Sequence, residues 1–355
     1  MGQHDRQKVS ITLSKEAYQT IIEDMMIFNA SDNWGGFINS IIRNFMGTSD
    51  ASIKLATARE RDRLTKILES PITKTGKEVL DAIVADYERT LTIRMNSHKS
   101  DSKTKKTWIH KDIYDELTNS DEYYDSSHYR NNQKGLYIKA LLEDYASRPL
   151  VERERIYCKD IFDTLENCIV EKKIAKTTYI GREKVQTSTL KLKPYKLMEF
   201  NNYNYLIATL DNPTVEKGYK IYTLRLCRIQ NVKKLSLTAF ISKDTKNNLE
   251  KTLNKNGVPY LQGETNNIEV QLSPEGQNRY QSILHLRPRY TSISNEGCKE
   301  GFLKYSFDCT PEQIKNYFFQ FGSDAEIISP DYLRCDFSNM YKDAYLNYHG
   351  ETNEL

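Results

Sequence analysis

The sequence predicts an α+β multidomain chain: a helical N-terminal domain led by a strand, a small antiparallel barrel, and a C-terminal α+β module. Three observations carry this. Val9-Ser10-Ile11-Thr12-Leu13 alternates strictly and precedes two stretches with apolar residues at helical spacing. Three short apolar-alternating runs, separated by Asn-rich or Gly/Pro-containing turns, fill Leu190 to Ile229. A strand-helix-strand pattern lies between Gly301 and Pro330, with Pro311 at the helix start, where its missing N–H costs nothing.

The first domain spans residues 1–150. Val9, Ile11 and Leu13 share one face of the leading strand, and Lys8, Ser10 and Thr12 share the other. Ser14 is placed to cap a helix carrying Ala17, Tyr18, Ile21, Ile22 and Met25. Asn29 to Gly36 breaks it, and a second helix follows with Phe37, Ile38, Ile41, Ile42 and Phe45 as its stripe, ending at Gly47. A degenerate second copy is expected at 105–146. There Thr107 to Tyr114 parallels Thr12 to Tyr18, and Gly135 to Tyr145 parallels Gly35 to Phe45. A lone strand has no partner, so the first strand pairs either with the second copy or with another chain. Between the copies, Ala51 to Asn96 is rich in helix formers, broken near Pro71 and Gly76, with Ile83, Tyr87, Leu91 and Ile93 suggesting a packed helix. Arg94, His98, Lys99, Lys103, Lys105 and Lys106, among Ser, Thr and Asn, read as a solvated loop or a phosphate-contacting arm.

The second domain spans 151–240, with a leading helix from Glu152 to Glu171 and a first strand from Ile174 to Tyr179. The chain is basic from Lys172 to Lys196, where Lys172, Lys173, Lys176, Arg182, Lys184, Lys191, Lys193 and Lys196 face only Glu171 and Glu183. Tyr179, Tyr195, Tyr203 and Tyr205 interleave with this stretch. Cations that track a backbone beside rings that stack on bases suit single-strand binding, and a solubilising exterior over core tyrosines is the plainer alternative. In the third run, strand alternation puts Leu224, Leu226 and Arg228 on one face and Arg225, Cys227 and Ile229 on the other. A strand with two such cations gives at least one of them an anionic partner. Residues 241–266 read as a linker, with Ser242 to Leu253 a polar helix or tether. The C-terminal module occupies 267–340 and a tail 341–355. Arg279, Tyr280, Arg287, Arg289 and Tyr290 form a second basic-aromatic cluster within it.

Composition excludes more than it identifies. With 51 Lys+Arg against 48 Asp+Glu the net charge is +3, so any polyanion partner must be held by local patches. No apolar run approaches the roughly 20 residues of a spanning helix, and the N-terminus has no apolar core for a signal peptide, which predicts a cytoplasmic protein without membrane contact. The 6 cysteines form no Cys-x-x-Cys pair and the 6 histidines no metal-ligand spacing, so no metal or cofactor is expected. Adjacent carboxylates such as Glu23-Asp24 and Glu143-Asp144 point apart on helices, and no nucleophile-base pair follows from spacing. No catalytic residue is assigned, and a non-enzyme is expected.

The stretch around Pro194 resembles the WYL domain, a small Sm/SH3-like β-barrel of bacterial regulators. Pro194, Leu197, Tyr205, Leu206, Arg225, Leu226, Arg228 and Ile229 fall on its pattern. Asn204 stands where the family has its tryptophan, Cys227 where it has an aspartate, and Leu190 where it has an upstream arginine. The strand-helix-helix start resembles the ribbon-helix-helix DNA-binding family, which implies Lys8, Ser10 and Thr12 as contacts to duplex DNA. The C-terminal pattern resembles the extension behind many WYL domains. The combination is similar to WYL accessory proteins of type VI-D CRISPR systems, whose effector is an RNA-guided RNase. That resemblance implies binding of single-stranded RNA, enhancement of the nuclease, and a homodimer. Tyr179, Lys193, Tyr195, Tyr203, Tyr205, Arg225 and Arg228 are the candidate contacts. A DNA-binding regulator, with the barrel sensing a nucleotide or nucleic acid, is the other family reading.

Overall fold

A computed structural model describes residues 6–30, 33–68, 74–97, 101–119, 123–129, 134–181, 187–211, 218–261 and 263–349. Its N-terminal part runs β1 (Arg6–Ser14), α1 (Lys15–Ile27), α2 (Trp34–Phe45), α3 (Ile53–Ile67), α4 (Lys74–Met95), β2 (Ser102–His110), α5 (Lys111–Asn119) and α6 (Lys134–Ser147). β1 and β2 pair antiparallel within the chain. The ladder is symmetric about Ser10–Lys106, with Arg6 opposite His110 at one end and Ser14 opposite Ser102 at the other. Ile11, Leu13 and Ile109 are buried beneath it, while Lys8, Ser10 and Thr12 are exposed. The stripes Phe37, Ile38, Ile41, Ile42, Phe45 and Tyr137, Ile138, Leu141, Leu142, Tyr145 are both buried in the same core. Ser14 caps α1 by accepting from the Ala17 N–H at 3.2 Å, and its own N–H and hydroxyl donate to Glu143 on α6 at 2.6 and 2.8 Å.

The basic run expected as a loop is corrected here: Lys103, Lys105 and Lys106 lie in β2, because β1 supplies the ladder that their own sequence does not announce. Lys105 sits over the Trp34 ring at 4.1 Å. His98 and Lys99 lie outside the described residues. Of the residues expected to pack, Leu91 is buried and Tyr87 packs against the core, but Ile83 and Ile93 are exposed, and α4 buries Leu80, Val84 and Met95 besides.

The middle part runs α7 (Leu150–Tyr157), α8 (Lys159–Val170), β3 (Lys173–Ile180), β4 (Thr187–Phe200), β5 (Tyr203–Asp211), β6 (Tyr219–Arg225), β7 (Ile229–Thr238) and α9 (Lys243–Asn256). The single helix expected from Glu152 to Glu171 is thus two, divided at Cys158. The sheet order is β6-β5-β4-β3-β7, with antiparallel neighbours. By its ladders the sheet is open, with β6 and β7 at its ends. Those ends are joined by one 3-10 turn, Leu226–Arg228, so the alternation expected through Ile229 stops at Arg225. The inner face, with Ala175, Leu192, Leu206 and Leu224, joins the N-terminal core.

Of the two readings for Ser242 to Leu253 the helix holds, as α9, and the stretch packs rather than tethers. Leu249 and Leu253 of α9, with Val258 and Leu261 after it, bury against Ile207, Tyr195, Met198, Phe200, Tyr205 and Ile221 on the outer face of the sheet. The last part runs β8 (Asn266–Leu272), α10 (Pro274–Ser282), β9 (Tyr290–Ser294), β10 (Leu303–Cys309), α11 (Pro311–Phe318), β11 (Ala325–Ser329) and α12 (Asp331–His349). Its sheet, β11-β8-β10-β9, carries a separate core built on Phe307, Tyr317, Phe318 and Phe321. The expected tail from 341 continues α12, and Tyr341 stacks on Phe319 at 4.9 Å. Among the described residues no helix is long and apolar enough to cross a membrane.

Candidate nucleic-acid interface

β3 lies between β4 and β7, and its buried positions, Ala175 and Thr177, turn inward toward α8. Lys176 therefore points outward. The register sets Lys191 of β4 and Lys233 of β7 directly opposite it. All three are exposed. One step along, Thr178 lies between Thr189 and Asn231, with the two threonine hydroxyls 2.9 Å apart. Adjacent strands are about 4.8 Å apart, so three lysine stems leave the sheet along a line of roughly 10 Å. Like charges directly opposite destabilise a sheet.

Neighbouring lysines are neutralised, Lys193 by Asp211 at 2.7 Å, Lys234 by Glu171 at 2.7 Å and Lys196 by Glu250 at 3.5 Å. Lys176, Lys191 and Lys233 have no carboxylate within 4.0 Å among the described residues. A row of unopposed ammonium groups flanked by hydroxyls is suited to a sugar-phosphate backbone.

The arginines at the end of β6 have different surroundings. The Arg225 guanidinium lies on the Tyr203 ring, 3.3 Å from its centroid, and its side chain is 19% exposed. Its Nε is 3.8 Å from Oε1 of Glu154 on α7, which is fully buried. Glu154 is already occupied: it accepts from the Asn204 N–H at 2.7 Å, the Asn204 amide at 2.9 Å and the Cys227 N–H at 3.0 Å. Asn204 also accepts from Arg155 at 2.7 Å and donates to the Val151 carbonyl at 2.8 Å. This network ties α7 to β5 and to the turn after Arg225. Nε and Nη2 of Arg225 remain buried without a hydrogen-bond acceptor among the described residues. Burial pushes the Cys227 thiol up to about 12, with the Glu154 charge adding to the effect.

The residues expected from the sequence divide accordingly. Tyr203, Tyr205, Arg225 and Arg228 come together: Tyr205 opposes Arg225 across the ladder, and the charges of Arg225 and Arg228 both act to lower its pKa. Burial dominates at Tyr205 and raises its pKa. Tyr195, like Tyr205, packs under α9, with its hydroxyl donating to Glu250 at 2.8 Å. Tyr179 packs half-buried against the main core, and Lys193 is paired. Arg182 and Lys184 lie outside the described residues. Lys8, Ser10 and Thr12 share the exposed ribbon face with Thr104, Lys106 and Trp108; Thr12 bonds Thr104 at 2.9 Å, and Lys8 lies 5.5 Å from the Trp108 ring.

Sequence reasoning missed Glu154 and the alignment of Lys233 with Lys176, since both depend on contacts distant in sequence. Among the described residues no group of three His, Cys, Asp or Glu side chains is placed to hold a metal.

Residues 160–234, from α8 into β7, match the family model of the WYL domain. A search of curated proteins finds no match. Among solved structures, one described as a CRISPR Cas-related protein is 22% identical with a TM-score of 0.70, covering 98% of this chain and 95% of that one. Proteasome accessory factor B/C of Arthrobacter aurescens is 14% identical with a TM-score of 0.29, over 60% of this chain and 32% of that one. The first likeness shows a shared fold over almost the whole length.

Proposed function

We propose that this chain is a non-catalytic accessory or regulatory protein of a CRISPR system, which holds single-stranded RNA on its WYL-matching sheet and enhances a type VI-D RNA-guided RNase. The observation that carries the reading is the row Lys191–Lys176–Lys233, three exposed cations kept in mutual repulsion with no carboxylate beside them among the described residues. A polyanion relieves that repulsion, and a flexible single strand can follow a short curved row. The WYL match and the fold shared with a CRISPR Cas-related protein support the setting.

Duplex DNA on the ribbon is the second reading. Supporting it is the internal symmetry of β1 and β2, which presents Lys8, Ser10, Thr12 and Lys106 on one exposed face as a two-fold ribbon-helix-helix unit would. Labelled single-stranded RNA and duplex DNA are titrated at fixed salt against three variant sets. These are Lys176→Ala with Lys191→Ala and Lys233→Ala; Tyr205→Ala with Arg225→Ala and Arg228→Ala; and Lys8→Ala with Ser10→Ala and Thr12→Ala. Loss of RNA binding in the first set, with loss of RNase enhancement, is the expected result. Unchanged RNA affinity in that set sinks the RNA reading, and loss of DNA binding in the third set alone favours the ribbon.

A further inference from the structure

A groove of about 490 Å³ lies where α9 and the β4–β5 end of the sheet meet the C-terminal module. That volume falls within the range of small-molecule sites. Two carboxamides in its lining are at odds with their burial. Asn256 is 3% exposed, yet neither its Nδ2 nor its Oδ1 has a partner among the described residues. Gln313 is 4% exposed, and its Oε1 has none among them either.

Buried polar groups are almost always satisfied, so each orphan calls for an explanation. Gln313 has a local alternative. It stands three residues after the α11 cap Thr310, where a glutamine can reach back to the cap N–H, but its oxygen does not take that bond. Asn256 ends α9 and is fixed there by Gly257 at φ 75°, whose N–H donates to the Leu253 carbonyl at 2.9 Å. A Cβ on Gly257 would meet the Phe200 ring at 3.3 Å, so this turn brings backbone, ring and carboxamide close together.

Phe200, Arg287 and Arg289 line the same groove. Both arginines are exposed and have no carboxylate within 4.0 Å among the described residues. We propose that this groove is a nucleotide site: the base edge bonds to Asn256 and Gln313, the base stacks on Phe200, and the phosphate rests on Arg287 and Arg289. Single-stranded bases are read by this combination of aromatic face, edge hydrogen bonds and arginine. The orphans comprise two acceptor oxygens and one donor NH2 group. They call for a base with an exocyclic amine beside an acceptor, as adenine, cytosine and guanine have, and uracil, with a single edge N–H, fits worst.

The proposal is independent of the lysine row, and its test keeps the two apart. The full-length protein is titrated calorimetrically with AMP, CMP, GMP and UMP. The expected result is binding of the three amino-bearing nucleotides at least about tenfold tighter than UMP. Asn256→Leu and Gln313→Met should each weaken that binding about tenfold or more while leaving the melting temperature unchanged or raised, because each removes an unsatisfied buried amide. Arg289→Ala should weaken all four alike, and the triple lysine variant should bind as wild type does. Competition by short oligoribonucleotides assigns the site to an RNA chain, and its absence assigns it to free nucleotide. No binding at millimolar nucleotide, wild-type affinity in both amide variants, or a lowered melting temperature in both overturns the proposal.

Discussion

Two groups of cations belong to one sheet and have opposite surroundings. Lys176, Lys191 and Lys233 stand in the open with no counter-charge among the described residues. Arg225 lies against Tyr203, beside a carboxylate that is wholly buried. The first group costs little to rearrange and is free to meet an external anion. The second is tied to α7 through Glu154, Asn204 and Cys227, so a change there alters the fold before it alters binding. Cation count along a sequence does not separate these roles; counter-charge and burial do.

The largest effect that could break this comparison is at Glu154. Glu154→Ala leaves the Asn204 and Cys227 N–H groups without their acceptor and Arg225 without its carboxylate. Removing one member of a buried pair costs about 3–5 kcal/mol. A urea denaturation midpoint is the measurement, and a loss below about 1 kcal/mol would place Arg225 with the free cations instead.

The lysine row is expected to behave in the reverse way. Replacing all three with alanine should lower the slope of log affinity for single-stranded RNA against log salt by about 2, at roughly 0.7 per phosphate contact. Thermal stability should hold or rise, since cross-strand repulsion is removed. A drop in stability with an unchanged salt slope would reverse the assignment.

The same contrast holds for two serines of β1. Ser14 is buried, caps α1 and donates to Glu143; Ser10 is exposed on the ribbon. Ser14→Ala should cost about 1 kcal/mol or more, and Ser10→Ala should stay within about 0.5 kcal/mol, both read by chemical denaturation.

Which parts of this were legible in the sequence follows from the range of the contacts. Period-two alternation at Ile11 and Leu13 and helical spacing at Phe37 to Phe45 are local, and the elements appear where the pattern puts them. Lys103 to Lys106 carry no apolar alternation of their own, and only the opposing strand makes them β structure. Leu224 to Ile229 alternates convincingly, yet the chain turns at Leu226–Arg228, where a carboxylate 73 residues away accepts the Cys227 N–H. Of the expected site residues, Tyr195 was unreadable because a polar helix after the sheet covers it. The lysine row needed a register across three strands, which no run of sequence displays.

The smallest effect concerns an exposed ion pair that lies outside the sheet and serves as the control for Glu154. Lys255 on α9 bonds Asp308 on β10, and both side chains are more than 40% exposed. The Lys255 hydrogen bond holds the Asp308 carboxyl below its ordinary 3.8, although burial opposes it. A carboxyl whose folded value is depressed adds stability above its unfolded value, and loses it as pH falls through the folded one. Lys255→Met should therefore lower the melting temperature slightly at neutral pH, with the difference fading as pH falls through the depressed Asp308 value. In ~1 M salt, where the screening length is about 3 Å, the difference should largely disappear even at neutral pH. The Glu154→Ala penalty should persist in that salt, because ions do not reach a group with no exposed surface. If both penalties faded together, burial would not be what distinguishes the arginine at the end of β6 from the lysines beside it.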